Sequence, residues 1–131
     1  MRQLLVQSIK TPDGTILTSR HRHDYVTHID AISGEMYMVD GGNSYRRGTV
    51  NKVPATDLCV YTDDSHEKIR EAFTWGSRGK SGNEPLTYIT LSSLTADHIL
   101  AILRTQRLSE DVEQLFYNEL NWRDSLKGEA V

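Results

Sequence analysis

No apolar run in this sequence approaches the roughly 20 residues that span a bilayer as a helix, which argues against a membrane-spanning segment. The stretch from Met1 to Gln7 is too short in apolar residues to act as a signal peptide, so the expected location is the cytoplasm. Cysteine occurs once, at Cys59. One thiol makes no intrachain disulfide and no cysteine-based zinc site, and it fits a reducing compartment. An excess of basic residues is also missing. The formal net charge is −3, whereas general nucleic-acid affinity comes from neutralising phosphates with Lys and Arg, leaving room only for a local basic patch. There is no internal repeat, low-complexity tract or interdomain linker.

The 131 residues make one domain of ordinary size, 1–131, with one core and one site to look for. Its first half reads as strands. Gln3 to Ile9 and Thr15 to Ser19 flank Thr11-Pro12-Asp13-Gly14, a hairpin turn signal. Tyr25 to Ile29 and Met36 to Val39 flank Ser33-Gly34-Glu35 in the same way. Alternation puts Val26 and His28 on one side and Tyr25, Thr27 and Ile29 on the other, one face packed and one wet. Gly41-Gly42 breaks the last strand, and Leu58 to Tyr61 reads as a short buried strand that holds Cys59 as inert core.

The second half reads as helices. Asp64 with Glu67 is compatible with an N-cap, and Ile69, Ala72 and Phe73 have helical spacing, which predicts a helix ending near Trp75-Gly76. Residues 76–85 hold three glycines and a proline and form a surface loop. Leu86 to Leu91 adds a strand. Thr95 caps a substantially buried helix carrying Ile99, Leu100, Ile102 and Leu103. Ser109 caps a last helix whose stripe of Val112, Leu115, Phe116 and Leu120 lies opposite Glu110, Glu113 and Glu119, with a frayed tail after Leu126. Strands first and helices later is the α+β order: an N-terminal antiparallel sheet of hairpins packed against about three helices, two of them C-terminal.

Candidate chemistry lies in three places. Arg20-His21-Arg22-His23-Asp24, with His28 beyond, holds three of the five histidines. On an extended segment His21 and His23 share a face, where they ligate a metal or contact a phosphate. The spacing misses the H-x-H-x-D-H pattern, so no metal site is assigned. Arg46 and Arg47 follow the Gly41-Gly42 break, and guanidinium forks suit phosphate or carboxylate. Finally, Trp75-Gly76-Ser77-Arg78-Gly79-Lys80 offers backbone N–H groups, two cations and an indole to a phosphorylated or aromatic ligand. It departs from the Walker loop, with Thr74 where that motif has glycine and with a helix before it. No G-x-S-x-G elbow and no cofactor fingerprint is present. Asp63 to Glu67 reads as capping.

Ser19 to Tyr25, Met36 to Gly42 and Phe73 to Lys80 together resemble segments of small accessory proteins of tailed bacteriophages. The resemblance covers much of the chain and carries no motif of known chemistry. It implies a protein made in an infected bacterial cytoplasm that binds a host protein or blunts a host defence, and it supplies no catalytic residues. The expected function is thus a non-enzymatic binding protein that engages a host macromolecule or sequesters a small phosphorylated ligand. Its candidate contacts are Arg20, His21, His23, Asp24, His28, Arg46, Arg47, Trp75, Arg78 and Lys80. The alternative is a small phosphoester- or nucleotide-processing enzyme using His21, His23 or His28. Leu115, Phe116, Tyr117, Leu120 and Trp122 give the last helix enough apolar surface for self-association.

Overall fold

A computed structural model describes residues 2–79 and 81–129, and shows an α+β chain with strands in its N-terminal half and two helices at its C-terminal end. It divides into two compact units, Met1–Asp64 and Ser65–Val131. No helix among the described residues is long and apolar enough to cross a membrane.

In the first unit the Pro12-Asp13-Gly14 turn, with Gly14 at φ +91°, joins β1 (Leu4–Lys10) to β2 (Ile16–Ser19) in an antiparallel hairpin. β1 also pairs with β6 (Thr56–Asp57) and, past a register shift between Leu4 and Val6, with β7 (Val60–Tyr61). A second sheet runs β3 (Val26–Ile29), β4 (Met36–Asp40), β5 (Arg47–Gly48). Leu17 of β2 with Tyr37 and Val39 of β4 form a buried cluster, with Ile9, Val26 and Ala55 packed against them. On β3, Val26 and His28 are partly buried while Thr27 and Ile29 are exposed, as alternation requires. The outer face is not polar, however: Ile29 lies opposite Met36 in the register, and both are exposed.

One buried side chain organises this unit. Gln7 shares an inward face with Leu5 and Ile9 and is 1% exposed. Its Nε2 lies 2.8–2.9 Å from the carbonyls of Asp40, Gly42 and Tyr45, and its Oε1 accepts from Arg47 N at 3.1 Å. A polar amide at an apolar strand position thereby satisfies the turn between β4 and β5, whose backbone would otherwise be buried unpaired.

In the second unit α1 (His66–Ala72) is capped by Ser65, whose hydroxyl accepts from Lys68 N. Asp64 is not the cap: its Oδ2 accepts from Tyr61 N instead. The helix stops at Ala72, short of the expected Trp75. Phe73 is already extended, and Thr74–Ser77 forms β8, paired antiparallel with β9 (Thr87–Thr90). The glycine-rich stretch is therefore the loop of a hairpin that follows a strand. Its first two expected residues, Gly76 and Ser77, are strand. Thr95 caps α2 (Ala96–Thr105) as expected, although only Ile99 and Ile102 are fully buried and Leu100 is exposed. Ser109 Oγ accepts from Val112 N at the start of α3 (Glu110–Glu129). The backbone of α3 stays helical beyond Leu126, where fraying was expected.

Leu115 and Phe116 anchor α3 in this unit's core with Ile69, Phe73, Leu91, Leu94, Ile99 and Ile102. Phe73 and Trp75 both meet Phe116 edge-on, with centroids 6.2 and 5.7 Å away. Each buried Leu, Ile or Phe adds about 1.5–3 kcal/mol over its exposed state. The same stripe also holds Glu119, which is 0% exposed and not on the solvent face.

Candidate functional site: a groove between a strand edge and a helix

The candidate site residues fall into both units. In the first, Arg20 to Asp24 form a turn and not an extended segment, with His23 at φ +70°. Asp24 closes the turn: its Oδ2 accepts from Arg20 N at 2.7 Å, and its carbonyl accepts from Ser19 Oγ. The two-residue spacing therefore does not place His21 and His23 as a strand would. Both are exposed, and His21 lies 3.9 Å from Asp24.

His28 is engaged elsewhere. Its Nε2 lies 2.8 Å from Asp13 Oδ2, which also accepts from Ala31 N, while Asp13 Oδ1 accepts from Thr11 and from Thr15 N. Asp30 Oδ1 accepts from Asp13 N, and its Oδ2 from Ile32 N and Ser33 N. Ligand-type atoms of Asp13, His28 and Asp30 lie within 4.8 Å of one another. All four carboxylate oxygens nevertheless already accept N–H or O–H donors, so the arrangement works as a staple between two hairpin turns. The Ala31 amide, then Thr11 and His28, hold the Asp13 carboxyl well below its ordinary range. A depressed carboxyl stabilises the fold above its unfolded value of 3.8 and loses that contribution as pH falls below it. In Asp13→Ala the Ala31 and Thr15 amides should become the fastest-exchanging of the first unit's turn amides, as read by hydrogen exchange.

Arg46 and Arg47 line a groove of about 500 Å³ with Gln7, Tyr37 and Val39. Their charges are already met. Arg46 sits 3.1 Å from Asp57 and 3.1 Å from the Tyr61 hydroxyl, and Arg47 sits 3.4 Å from Asp40. Cys59 is buried nearby in sequence, and burial pushes its thiol up, away from the reactive thiolate.

The second unit holds a larger groove, of about 780 Å³. One wall is β8 with the start of its loop: Trp75, Gly76, Ser77, Arg78 and Gly79. The other is one face of α2, with Thr95, His98, Ala101, Ile102 and Thr105 at helical spacing and Asp97 beside them. No residue of β9 lines it, so the groove runs along the edge of β8 that β9 leaves open. Trp75 is half-buried, anchored by its edge contact to Phe116. No family model matches this chain, nor does any curated protein or solved structure.

Arg78 differs from the arginines of the first unit. Among the described residues its side chain has no ion pair and no hydrogen bond, and neither do the Asp97 carboxylate and the His98 ring. Asp97 still has a structural reason for its place, because it lies in the first turn of α2, where the helix dipole favours a negative charge. Arg78 has none. Trp75 and Arg78 are thus two expected contacts that the fold brings to one groove, as it does Arg46 and Arg47 in the first unit; Lys80 lies outside the described residues. Thr95, Asp97, His98 and Thr105 escaped the sequence reading, although the Thr95 cap announced where this helix face begins.

Proposed function

We propose that the protein is a non-enzymatic binding protein, and that it holds an anionic partner in the groove between β8 and α2. The single observation carrying this reading is the uncommitted Arg78 guanidinium in a groove beside Trp75. A cation with no ion pair or hydrogen bond among the described residues, next to an aromatic wall, suits a phosphate or carboxylate carried on a larger group. The setting we attach to it is the one the phage resemblance implies: an infected bacterial cytoplasm, with a host macromolecule or a small phosphorylated host ligand as the partner. The enzymatic alternative has less support. His28 is tied to Asp13, His21 and His23 are exposed in a turn, and none of the three lines either groove.

The test is a comparison of the whole chain with Arg78→Gln against pyrophosphate, a nucleoside monophosphate and acidic peptides by calorimetry. At least one anion should bind, and the variant should weaken it about tenfold or more, as expected when a charge-assisted contact is removed. Equal binding by the variant and the parent would remove Arg78 from the site and overturn this reading.

A further inference from the structure

The hydrogen-bond phase of the β8–β9 hairpin fixes which backbone groups face the groove. Leu91 N donates to Phe73 O at 2.9 Å, and the register runs Thr74↔Thr90, Trp75↔Ile89, Gly76↔Tyr88, Ser77↔Thr87. Antiparallel ladders alternate between hydrogen-bonded and non-hydrogen-bonded pairs. Counting from Phe73–Leu91, the bonded pairs are Trp75–Ile89 and Ser77–Thr87, which leaves Gly76 in a non-bonded pair. Its N–H and C=O therefore point away from β9, along the open edge of β8. Gly76 is exposed and lines the groove. At Gly76 a donor and an acceptor face outward with no partner among the described residues, and a helix forms the opposite wall, an arrangement that accepts an added strand.

We infer that the partner is an extended acidic peptide segment that pairs with the β8 edge at Gly76, lies between β8 and α2, and places a carboxylate on Arg78. This rests on the groove being the binding site and names what occupies it. The charge sets the composition: Arg78 is the groove's cation and has no ion pair among the described residues, while Asp97 is held in the first turn of α2, where the helix dipole favours it.

Two substitutions at one position separate strand pairing from side-chain recognition. Gly76→Ala keeps the N–H, and its Cβ would lie 3.3 Å from Leu86 Cδ1, the end of a flexible side chain. Gly76→Pro removes the N–H but breaks no bond to β9, because that N–H faces outward, the position where an edge strand tolerates proline. The probe is an array of fluorescent hexapeptides alternating valine or threonine with aspartate or glutamate, beside a matched lysine series, read by polarization against the full chain. Acidic peptides should bind and the lysine series should not. Gly76→Ala should bind within about twofold of the parent, and Gly76→Pro about tenfold or more weakly, the scale of one lost buried hydrogen bond. Circular dichroism checks that the proline variant is folded. Should it unfold, N-methylation of the best peptide replaces it: methyl groups on alternate amides should abolish binding in one set and spare the other. Equal binding by the Ala and Pro variants, or uniform tolerance of N-methylation, overturns strand pairing. If no acidic peptide binds but pyrophosphate or a nucleoside monophosphate does, dependent on Arg78, this inference fails while the groove reading stands. If nothing binds, both fail.

Discussion

Replacing Glu119 with glutamine should destabilise the protein by about 3–5 kcal/mol, the scale expected when one partner of a buried ion network is removed. Glu119 is 0% exposed and meets four donors. Its Oε1 accepts from His66 Nε2 at 3.0 Å and Arg70 Nε at 2.8 Å, and its Oε2 from Arg70 and Arg123, both at 2.8 Å. The glutamine variant keeps the volume but takes the counter-charge from Arg123, leaves Arg70 only the exposed Glu71, and puts an amide NH₂ against donors. Arg123 also donates to the carbonyls of Leu91 and Leu94, so the damage should spread to the short 3₁₀ turn at Leu91–Ser93. Urea unfolding of the full chain measures the loss, and hydrogen exchange should show it first around Leu94. A loss below about 1 kcal/mol, the worth of an exposed pair, would mean that the network is solvated.

The same network fixes a pH dependence. Burial alone would raise the Glu119 carboxyl, but hydrogen bonds from Arg70, then Arg123 and His66, bring it from 4.5 to about 2. A folded-state value below the unfolded one gives stability that is fully present above about 4.5 and drains away as pH falls toward 2. Its extent is roughly 3 kcal/mol at 1.36 kcal/mol per unit. Melting temperatures of the parent should therefore fall between pH 5 and pH 2 more steeply than those of Glu119→Gln, and the two curves should converge at the acid end. The network has a cost as well. Because an ionised Glu119 only accepts, His66 Nε2 carries the proton. His66 Nδ1 and Trp122 Nε1 are both buried and have no hydrogen-bond partner among the described residues.

Local signals carried the hairpins and caps. The Pro12-Asp13-Gly14 turn, the Gly34 turn with φ +74°, the Thr95 cap and the Ser109 cap are all properties of a few adjacent residues, and the structure has each of them. Strand β8 failed because its pairing with Thr87–Thr90 is a contact across a loop, while Ile69, Ala72 and Phe73 carry a helical pattern right up to its start. Glu119 failed for a different reason. It lies four residues after Leu115 and three after Phe116, which puts it on the buried stripe by helical geometry; residue type, not position, had placed it on the polar face. Gln7 has the same character, a polar residue at an inward strand position. In both cases the periodicity was legible, and the partners that make such burial tolerable, Arg70 and Arg123 for one and the carbonyls of the 40–45 turn for the other, were not. The candidate groove was half visible: Trp75 and Arg78 stand out in sequence, whereas the helix face opposite them is a tertiary fact.

The turn that Gln7 supports yields the second large effect. Gly41 has φ +108°, and a Cβ there would lie 2.2 Å from the backbone oxygen of Tyr45. That oxygen is one of the three that Gln7 Nε2 reaches, so it is not free to withdraw. The left-handed backbone costs a side chain about 1–2 kcal/mol, and moving a packed backbone oxygen adds about 1–3 more. Gly41→Ala should thus lose about 3 kcal/mol or more. Gly34→Ala is the control: at φ +74° with nothing within 4 Å of its Cβ, it bears only the first of these costs. Denaturation midpoints of the two variants decide the matter. A clear excess for Gly41→Ala means that the turn between β4 and β5 is closed onto Gln7 and holds the Arg47 end of the sheet in register. Equal losses would mean that the turn relaxes, and that Gln7 does not pin it.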